Sequence, residues 1–317
     1  MSALKLIFAG TPDFAACALQ ALLLTPHQVV AVYTQPDRPQ GRGQKLMIGP
    51  VKALAMANNI PHMQPASLKS SEAVETLKSF NADLMVVVAY GLILPEAILQ
   101  AMPMGAINIH ASLLPKWRGA APIQRALQAN DAITGISIMQ LDAGMDTGAV
   151  LLKKTLEIQA NDTSLTLFNR LADLGAQGLL EVLNNFSSFT PEAQDHAAAT
   201  YAHKIKKEEC VIDWQQSASQ ISCQIRAFIP WPVATTTVGN AVLRVWEAQV
   251  RMRPAHRPPG EIIASDASGI LVATGSGTLL LTKIQLPNGK PLAVADMLHS
   301  RQKEFAVGVQ LGALHEK

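Results

Sequence analysis

The sequence predicts an α/β protein in two parts: a mainly parallel sheet covered by helices on both faces, then a smaller barrel of short strands. Three observations carry that prediction. Up to about residue 189, apolar runs alternate with helical stretches. Beyond it, short β-like runs follow one another with Gly, Pro and Asn between them. At 317 residues the chain is also long enough for about two domains, each with its own core.

Taken in order, "LKLIFAG" is a strand ending at Gly10, and "GTPDFAACALQALLLT" a helix with Thr11 at its cap and Pro12 in its first turn. "QVVAVYT" is a second strand and "SEAVETLKSF" a second helix. "ADLMVVVAYG" is too continuously apolar to face water on either side, as in a covered parallel sheet. A strand at 106–110, a helix near "APIQRALQAN", a strand "GISIMQL" and a long helix from about Asp162 to Asn185 follow. "SSFTPEAQDHAAATYAHKIKKEECVIDW" then lacks any sustained period and reads as a linker. After the helix "SASQISCQIRAF" come "VATTTV", "AVLRVWEAQV", "GEIIAS", "GILVATG" and "GTLLLTKIQL", five strands that suggest an OB-like β-barrel. The expected organisation is a first domain at 1–189, a linker at 190–208 and a second domain at 209–317.

Composition narrows the function. Nearly half the residues are hydrophobic and 16% are charged, which suits a folded globular chain rather than a disordered one. No apolar run reaches the ~18 residues of a membrane-crossing helix, and the opening "MSALKLIFAG" lacks the pattern of a secretory signal. Three cysteines without metal-ligand or CxxC spacing read as reduced structural thiols, so a cytoplasmic protein is expected. The formal charge is only +2, too small for a general nucleic-acid binder. Eight basic residues nevertheless fall between 204 and 257, enough to guide one polyanionic substrate.

The first strand-to-helix turn, "FAGTPDFAA", has no GxGxxG, so a dinucleotide site is not expected. The chemistry gathers elsewhere. Asn108 and His110 stand two apart in "AINIH", so on a strand they point to one side. Asp142 and Asp146 follow the next strand, and adjacent strand ends would bring amide, imidazole and carboxylate together. Acyl transfer passes through an oxyanion that needs donors, which Asn108 and His110 supply. The attacking amine must lose a proton, and Asp146 would fix the imidazole or hold a relaying water. No Ser or Cys nucleophile is evident, which favours direct transfer between two bound substrates. Each residue alone also has a plain reading: a strand His is usually a satisfied core residue, and an Asp after a strand usually makes a turn. Trp117 and Arg118 likewise serve either a ligand or the packing of their own turn.

"INIHASLLPKWRGAAPIQRAL" and "GISIMQLDAGMDTGAVL" resemble the formyltransferases that use 10-formyltetrahydrofolate. The resemblance runs over essentially the whole chain, through "AGTPDFA", "YTQPDRPQGRGQKL", "VVVAYGLILP", "NDTSLTLFNRLADLG", "HKIKKEECVIDW" and "IRAFIPWPVA". It implies a Rossmann-like first domain, 10-formyltetrahydrofolate as co-substrate and no metal. Asn108, His110 and Asp146 would be catalytic. Ser112, Leu113, Leu114 and Pro115 would line the folate site, with the backbone of Ala89, Tyr90, Gly91 and Leu92 around the pterin. The basic loop "DRPQGRGQK" is similar to that of members acting on initiator methionyl-tRNA, which makes Arg42 and Lys45 tRNA contacts, helped by Lys204, Lys206 and Lys207. In "MIGPVK" the chain departs from that loop, which commonly carries a second proline before "PVK". A monomer that engages no membrane is implied. Two rivals remain at this point: an enzyme that formylates an amino-sugar nucleotide or hydrolyses the formyl-folate, and a catalytically idle RNA-binding protein.

Overall fold

The structure is a computed structural model that describes residues 3–40, 45–251 and 256–312, with Gln40 and Lys45 described by their backbone only. The chain forms two compact units: Met1–Pro122, Ile133–Glu157 and Phe168–His203 in the first, and Ile123–Ala132, Ile158–Leu167 and Lys204–Lys317 in the second.

In chain order, the first part gives β1 (Lys5–Gly10), α1 (Asp13–Leu22), β2 (Gln28–Tyr33), β3 (Arg38–Gln40), β4 (Lys45–Met47), α2 (Pro50–Ala57), β5 (His62–Met63) and α3 (Ser71–Ser79). Then come β6 (Leu84–Val88), α4 (Glu96–Leu99), β7 (Ala106–His110), α5 (Pro122–Gln128), β8 (Ile133–Gln140), β9 (Val150–Glu157) and α6 (Ser164–Asn184). Seven strands form one sheet in the order β5-β2-β1-β6-β7-β8-β9. The first five run parallel, as the continuous burial of β6 requires. The last two do not: β8 runs antiparallel to β7, and β9 antiparallel to β8. β9 begins buried and then alternates between half-buried and exposed, as befits a sheet edge.

Two of the sequence's glycines in α6 decide how it lies on this sheet. A Cβ at Gly175 would come within 2.9 Å of Ile109 Cγ2, and one at Gly178 within 2.9 Å of Ile136 Cδ1. The helix therefore approaches β7 and β8 closely where it has no side chains. Gly10 plays a comparable role at the end of β1, where a Cβ would lie 2.5 Å from Ala15 Cβ and 2.8 Å from the Val88 carbonyl oxygen. Its smallness serves the packing of α1 against the sheet. The polar stretch after α6, expected as the start of a linker, runs along the first unit as far as His203. Glu192 and Val150 exchange backbone hydrogen bonds of 2.8 Å, and residues 200–202 pair with 115–121. The stretch is held by irregular pairing, which leaves no period in its sequence.

The second unit carries α7 (Ala218–Ala227), β10 (Ala234–Val238), β11 (Ala241–Arg251), β12 (Ile262–Asp266), β13 (Gly269–Ala273), β14 (Thr278–Gln285), β15 (Leu292–Ala293) and α8 (Val294–Arg301). The five expected runs become β10 to β14, an antiparallel sheet in the order β10-β11-β14-β13-β12, with β15 added on β14. Residues 308–312 tie its two edges together. Leu311 N donates to Gly260 O beside β12 at 2.8 Å, and Gly312 N to Thr237 O of β10 at 2.9 Å. The enclosed core includes Trp214, Leu243, Val245, Ile270, Leu281 and Phe305. Ser217 and Gln220 form a capping box that starts α7.

Gly10→Ala forces a methyl group against a backbone carbonyl that cannot move aside. It should lower the unfolding free energy by about 1–3 kcal/mol, measured by chemical denaturation. Wild-type stability would show that the first turn is looser than its packing indicates.

Candidate active site

Strand β7 positions the first two groups. Ile109 faces α6, so by the period of a strand Asn108 and His110 face the opposite side. Asn108 is half-buried, and among the described residues its carboxamide has no hydrogen-bond partner. His110 is buried, with Nε2 2.9 Å from the Trp117 carbonyl oxygen. A carbonyl only accepts, so Nε2 carries a proton and donates it there. Nδ1 is left facing the carboxylate of Asp146, 3.7 Å from its Oδ2.

Asp146 arrives by another route than adjacent parallel strand ends. Because β8 is antiparallel, its last residue Gln140 lies opposite Ile107, near the start of β7. The loop between β8 and β9 must therefore return toward the far end of β7 to bring Asp146 to His110. Asp146 sits there in the left-handed region (φ 55°), and its Oδ2 accepts the Gly119 N–H at 2.7 Å. Asp142 goes elsewhere: its Oδ1 accepts from Gly144 N at 2.9 Å and Thr147 Oγ1 at 2.6 Å, closing its own turn.

The segment that leaves β7 is tied down by its own polar groups. Ser112 is buried, and its hydroxyl donates to Lys116 O at 2.5 Å. Ser137 Oγ donates to Ser112 O at 2.8 Å and accepts Leu114 N at 3.0 Å. Leu114 is buried too, which leaves the half-buried Leu113 and Pro115 as the side chains on offer to a ligand. Arg118, 1% exposed, donates from Nε and Nη2 to Gln194 Oε1 at 3.0 and 2.7 Å, and its Nη1 lies 3.2 Å from His196 Nδ1. Its duty is to the turn. Gln194 is a residue that reading the sequence missed: one glutamine in an aperiodic polar stretch carries no signal.

At the end of β6, Ala89 and Gly91 have positive φ and are exposed, while the side chain of Tyr90 turns into the core. Burial pushes the Tyr90 hydroxyl well above its usual range, and among the described residues its oxygen has no hydrogen-bond partner. Only the backbone of Tyr90 is therefore open to a ligand, and Leu92 is half-buried against the same core. A cleft of ≈ 420 Å³ opens beside Ala89–Gly91, with Thr11, Gln35, Asp37 and Lys52 on its walls. It lies at the ends of β1, β2 and β6, next in the sheet to β7. Lys52 Nζ donates to Asp37 Oδ2 at 2.5 Å and to Gln64 Oε1 at 2.7 Å, and Gln64 Nε2 reaches Asp37 Oδ1 at 2.9 Å. The lysine bond first, then the glutamine bond, holds the Asp37 carboxyl below its ordinary range. Arg42 lies outside the described residues, as does the Lys45 side chain. Lys204, Lys206 and Lys207 are all exposed on the second unit. Among the described residues, no cluster of three or more His, Cys, Asp or Glu is placed to hold a metal. Nor is any helix among them long and apolar enough to cross a membrane.

An amide and an imidazole on one face of β7, with a carboxylate facing the imidazole, suit acyl chemistry, and comparison with known proteins specifies the class. Residues 4–183 match the formyl transferase family and residues 204–302 its C-terminal domain. The chain belongs to the formyl transferase family. Its fold is shared with HypX from Aquifex aeolicus, solved in complex with tetrahydrofolic acid (TM-score 0.63, 17% identity, 94% of this chain and 47% of that one). The chain thus spans about half the length of HypX. It is also similar to an N-formyltransferase from Helicobacter canadensis, solved with folinic acid and dTDP-3-aminofucose (TM-score 0.63, 18% identity, 88% of this chain and 98% of that one). A third likeness is methionyl-tRNA formyltransferase from Clostridium thermocellum (TM-score 0.55, 18% identity, 78% of this chain and 94% of that one).

Lys52→Met removes the main cause of the Asp37 shift, so the Asp37 carboxyl should titrate at higher pH, read by carbon NMR of that carboxyl. In the wild type the depressed group contributes stability above its unfolded pKa, lost as pH falls through the folded value. The variant should lose that acid-side dependence. An unmoved titration would assign the shift to Gln64 alone.

Proposed function

We propose that this formyl transferase moves the formyl group of 10-formyltetrahydrofolate to the α-amine of methionyl initiator tRNA. The observation that carries the reading is the free Asn108 carboxamide two residues from His110, whose Nδ1 faces Asp146. The amine attacks the formyl carbon and its oxygen becomes an oxyanion. Asn108 donates to that oxygen without changing charge, and His110 adds a second donor from Nδ1 once that nitrogen has taken up a proton. The amine's proton leaves toward the His110–Asp146 pair, directly or through a water, and returns to the folate nitrogen as the carbon–nitrogen bond to the donor breaks. No residue is acylated.

Several features support the finer parts of this reading. Tetrahydrofolic and folinic acids in structures of similar fold favour a folate donor. In this reading folate lies along Ser112–Pro115 and the Ala89–Leu92 backbone. For the acceptor, the sequence around Arg42 and Lys45, with glycines at 41 and 43, is cationic and rich in donors, suited to phosphates and unpaired bases. Lys204, Lys206 and Lys207 add exposed charge for phosphate contact. The enzyme would act as a cytoplasmic monomer without metal.

The test supplies labelled 10-formyltetrahydrofolate with methionyl initiator tRNA, with an amino-sugar nucleotide, or with water alone. Label on the methionine amine is expected; label only on the sugar or in free formate would replace the proposed acceptor. Asn108→Ala should lower turnover by ~10² or more in a folded protein. Asp146→Asn should lower activity and change the pH–rate profile, and an unchanged profile would separate it from His110.

Arg42→Ala should strongly reduce transfer to tRNA while leaving slow formyl-folate hydrolysis intact. Arg42→Lys should restore little, since a point charge lacks the planar fork. Wild-type transfer by Arg42→Ala would remove the loop from acceptor recognition.

A further inference from the structure

Asp146 sits in the left-handed region (φ 55°), and the side chain of Gln194 holds the backbone on both sides of Thr147. Gln194 is buried, and its carboxamide is fully engaged. Nε2 donates to Asp146 O at 2.9 Å and Gly148 O at 2.7 Å, while Oε1 accepts both Arg118 bonds. Two donors and two acceptor sites are all used. The amide's orientation follows from its neighbours. A guanidinium only donates and carbonyls only accept, so the flipped amide would set like against like on both sides.

Around Gln194 the chain is anchored at both ends. Glu192 pairs with Val150 at the start of β9, and Ala202 N donates to Arg118 O at 2.7 Å. Thr200 contributes Oγ1 to Trp117 N at 2.9 Å and its carbonyl to Arg118 N at 2.8 Å. The turn so gripped is the one whose Trp117 carbonyl orients His110 and whose Gly119 N–H holds the Asp146 carboxylate. One amide therefore links the two pieces of backbone that set the His110–Asp146 geometry.

We infer that Gln194 is a positioning residue for the reaction: its carboxamide fixes the backbone of Asp146 relative to the His110 turn. The inference rests on the reading of Asp146 as part of the reacting site. Neither a carboxylate nor an apolar side chain can replace the amide. Glutamate would keep Arg118 paired but turn an anion toward two carbonyls, and an apolar residue would strand a buried cation.

Gln194→Glu is the informative variant because the ion pair with Arg118 preserves folding while both donors to the Asp146 loop are lost. A second variant, Arg118→Met with Gln194→Met, leaves no stranded charge. Two measurements on the full chain decide the matter. Amide exchange at Gly119, whose N–H binds the Asp146 carboxylate, should accelerate tenfold or more in both variants, against unchanged exchange in the β1–β6 ladder. In transfer from 10-formyltetrahydrofolate to methionyl initiator tRNA, kcat should fall tenfold or more while KM for both substrates stays within twofold. The same loss should vanish in an Asp146→Asn background, because the two residues act as a unit. Unchanged Gly119 exchange, or full additivity with Asp146→Asn, overturns the inference. A wild type that transfers nothing to tRNA refutes the proposed acceptor instead, and Gly119 exchange still decides the role of Gln194.

Discussion

Strand β7 meets two opposed demands within five residues, and the twofold period of a β-strand reconciles them. Ile107 and Ile109 are buried, the latter against α6 where Gly175 lets the helix approach. Asn108 and His110 face the other side, Asn108 half-buried and His110 buried against the Trp117 carbonyl. Pairing on both edges, Val87 with Asn108 and His110 with Ser137, keeps the register from slipping. A slip of one residue would drive the amide and imidazole into the helix and both isoleucines into the site. The positions of Trp117, Gly119 and Asp146 matter only once this alternation is secured.

The turn beyond β7 illustrates how a site is held rigid by satisfying every polar group it buries. Ser112, Ser137, Gln194 and Thr200 each answer a backbone group or the Arg118 guanidinium. Among the described residues Arg118 has no carboxylate partner; Gln194 and the ring nitrogen of His196 take its bonds. Neutral acceptors of this kind hold the cation without placing another anion beside Asp146. The cost is fragility, since loss of any one member leaves a buried group unpaired.

The same architecture occurs in HypX, in an N-formyltransferase and in a methionyl-tRNA formyltransferase, all at 17–18% identity. A fold shared by such different proteins does not by itself set which acceptor is used. Beside the cleft at the ends of β1, β2 and β6, Asp37, Lys52 and Gln64 brace one another through side-chain hydrogen bonds.

Apolar period and turn chemistry are local, so the sequence alone determined most strands and helices, the change from α/β to β pattern, and the shared side of Asn108 and His110. It left β9 unassigned because an edge strand with Lys153 and Lys154 lacks a continuous apolar run. Strand direction is not local. "GISIMQL" reads the same whether parallel or antiparallel, and only its pairing with β7 showed that Asp146 returns through a loop. Between Asp142 and Asp146, four residues apart in one polar loop, only the folded backbone decided which carboxylate closes its own turn and which faces His110. Gln194 was invisible for the same reason. Its four hydrogen bonds reach residues 46 to 76 positions away, and no pattern along the chain records a partner at that distance.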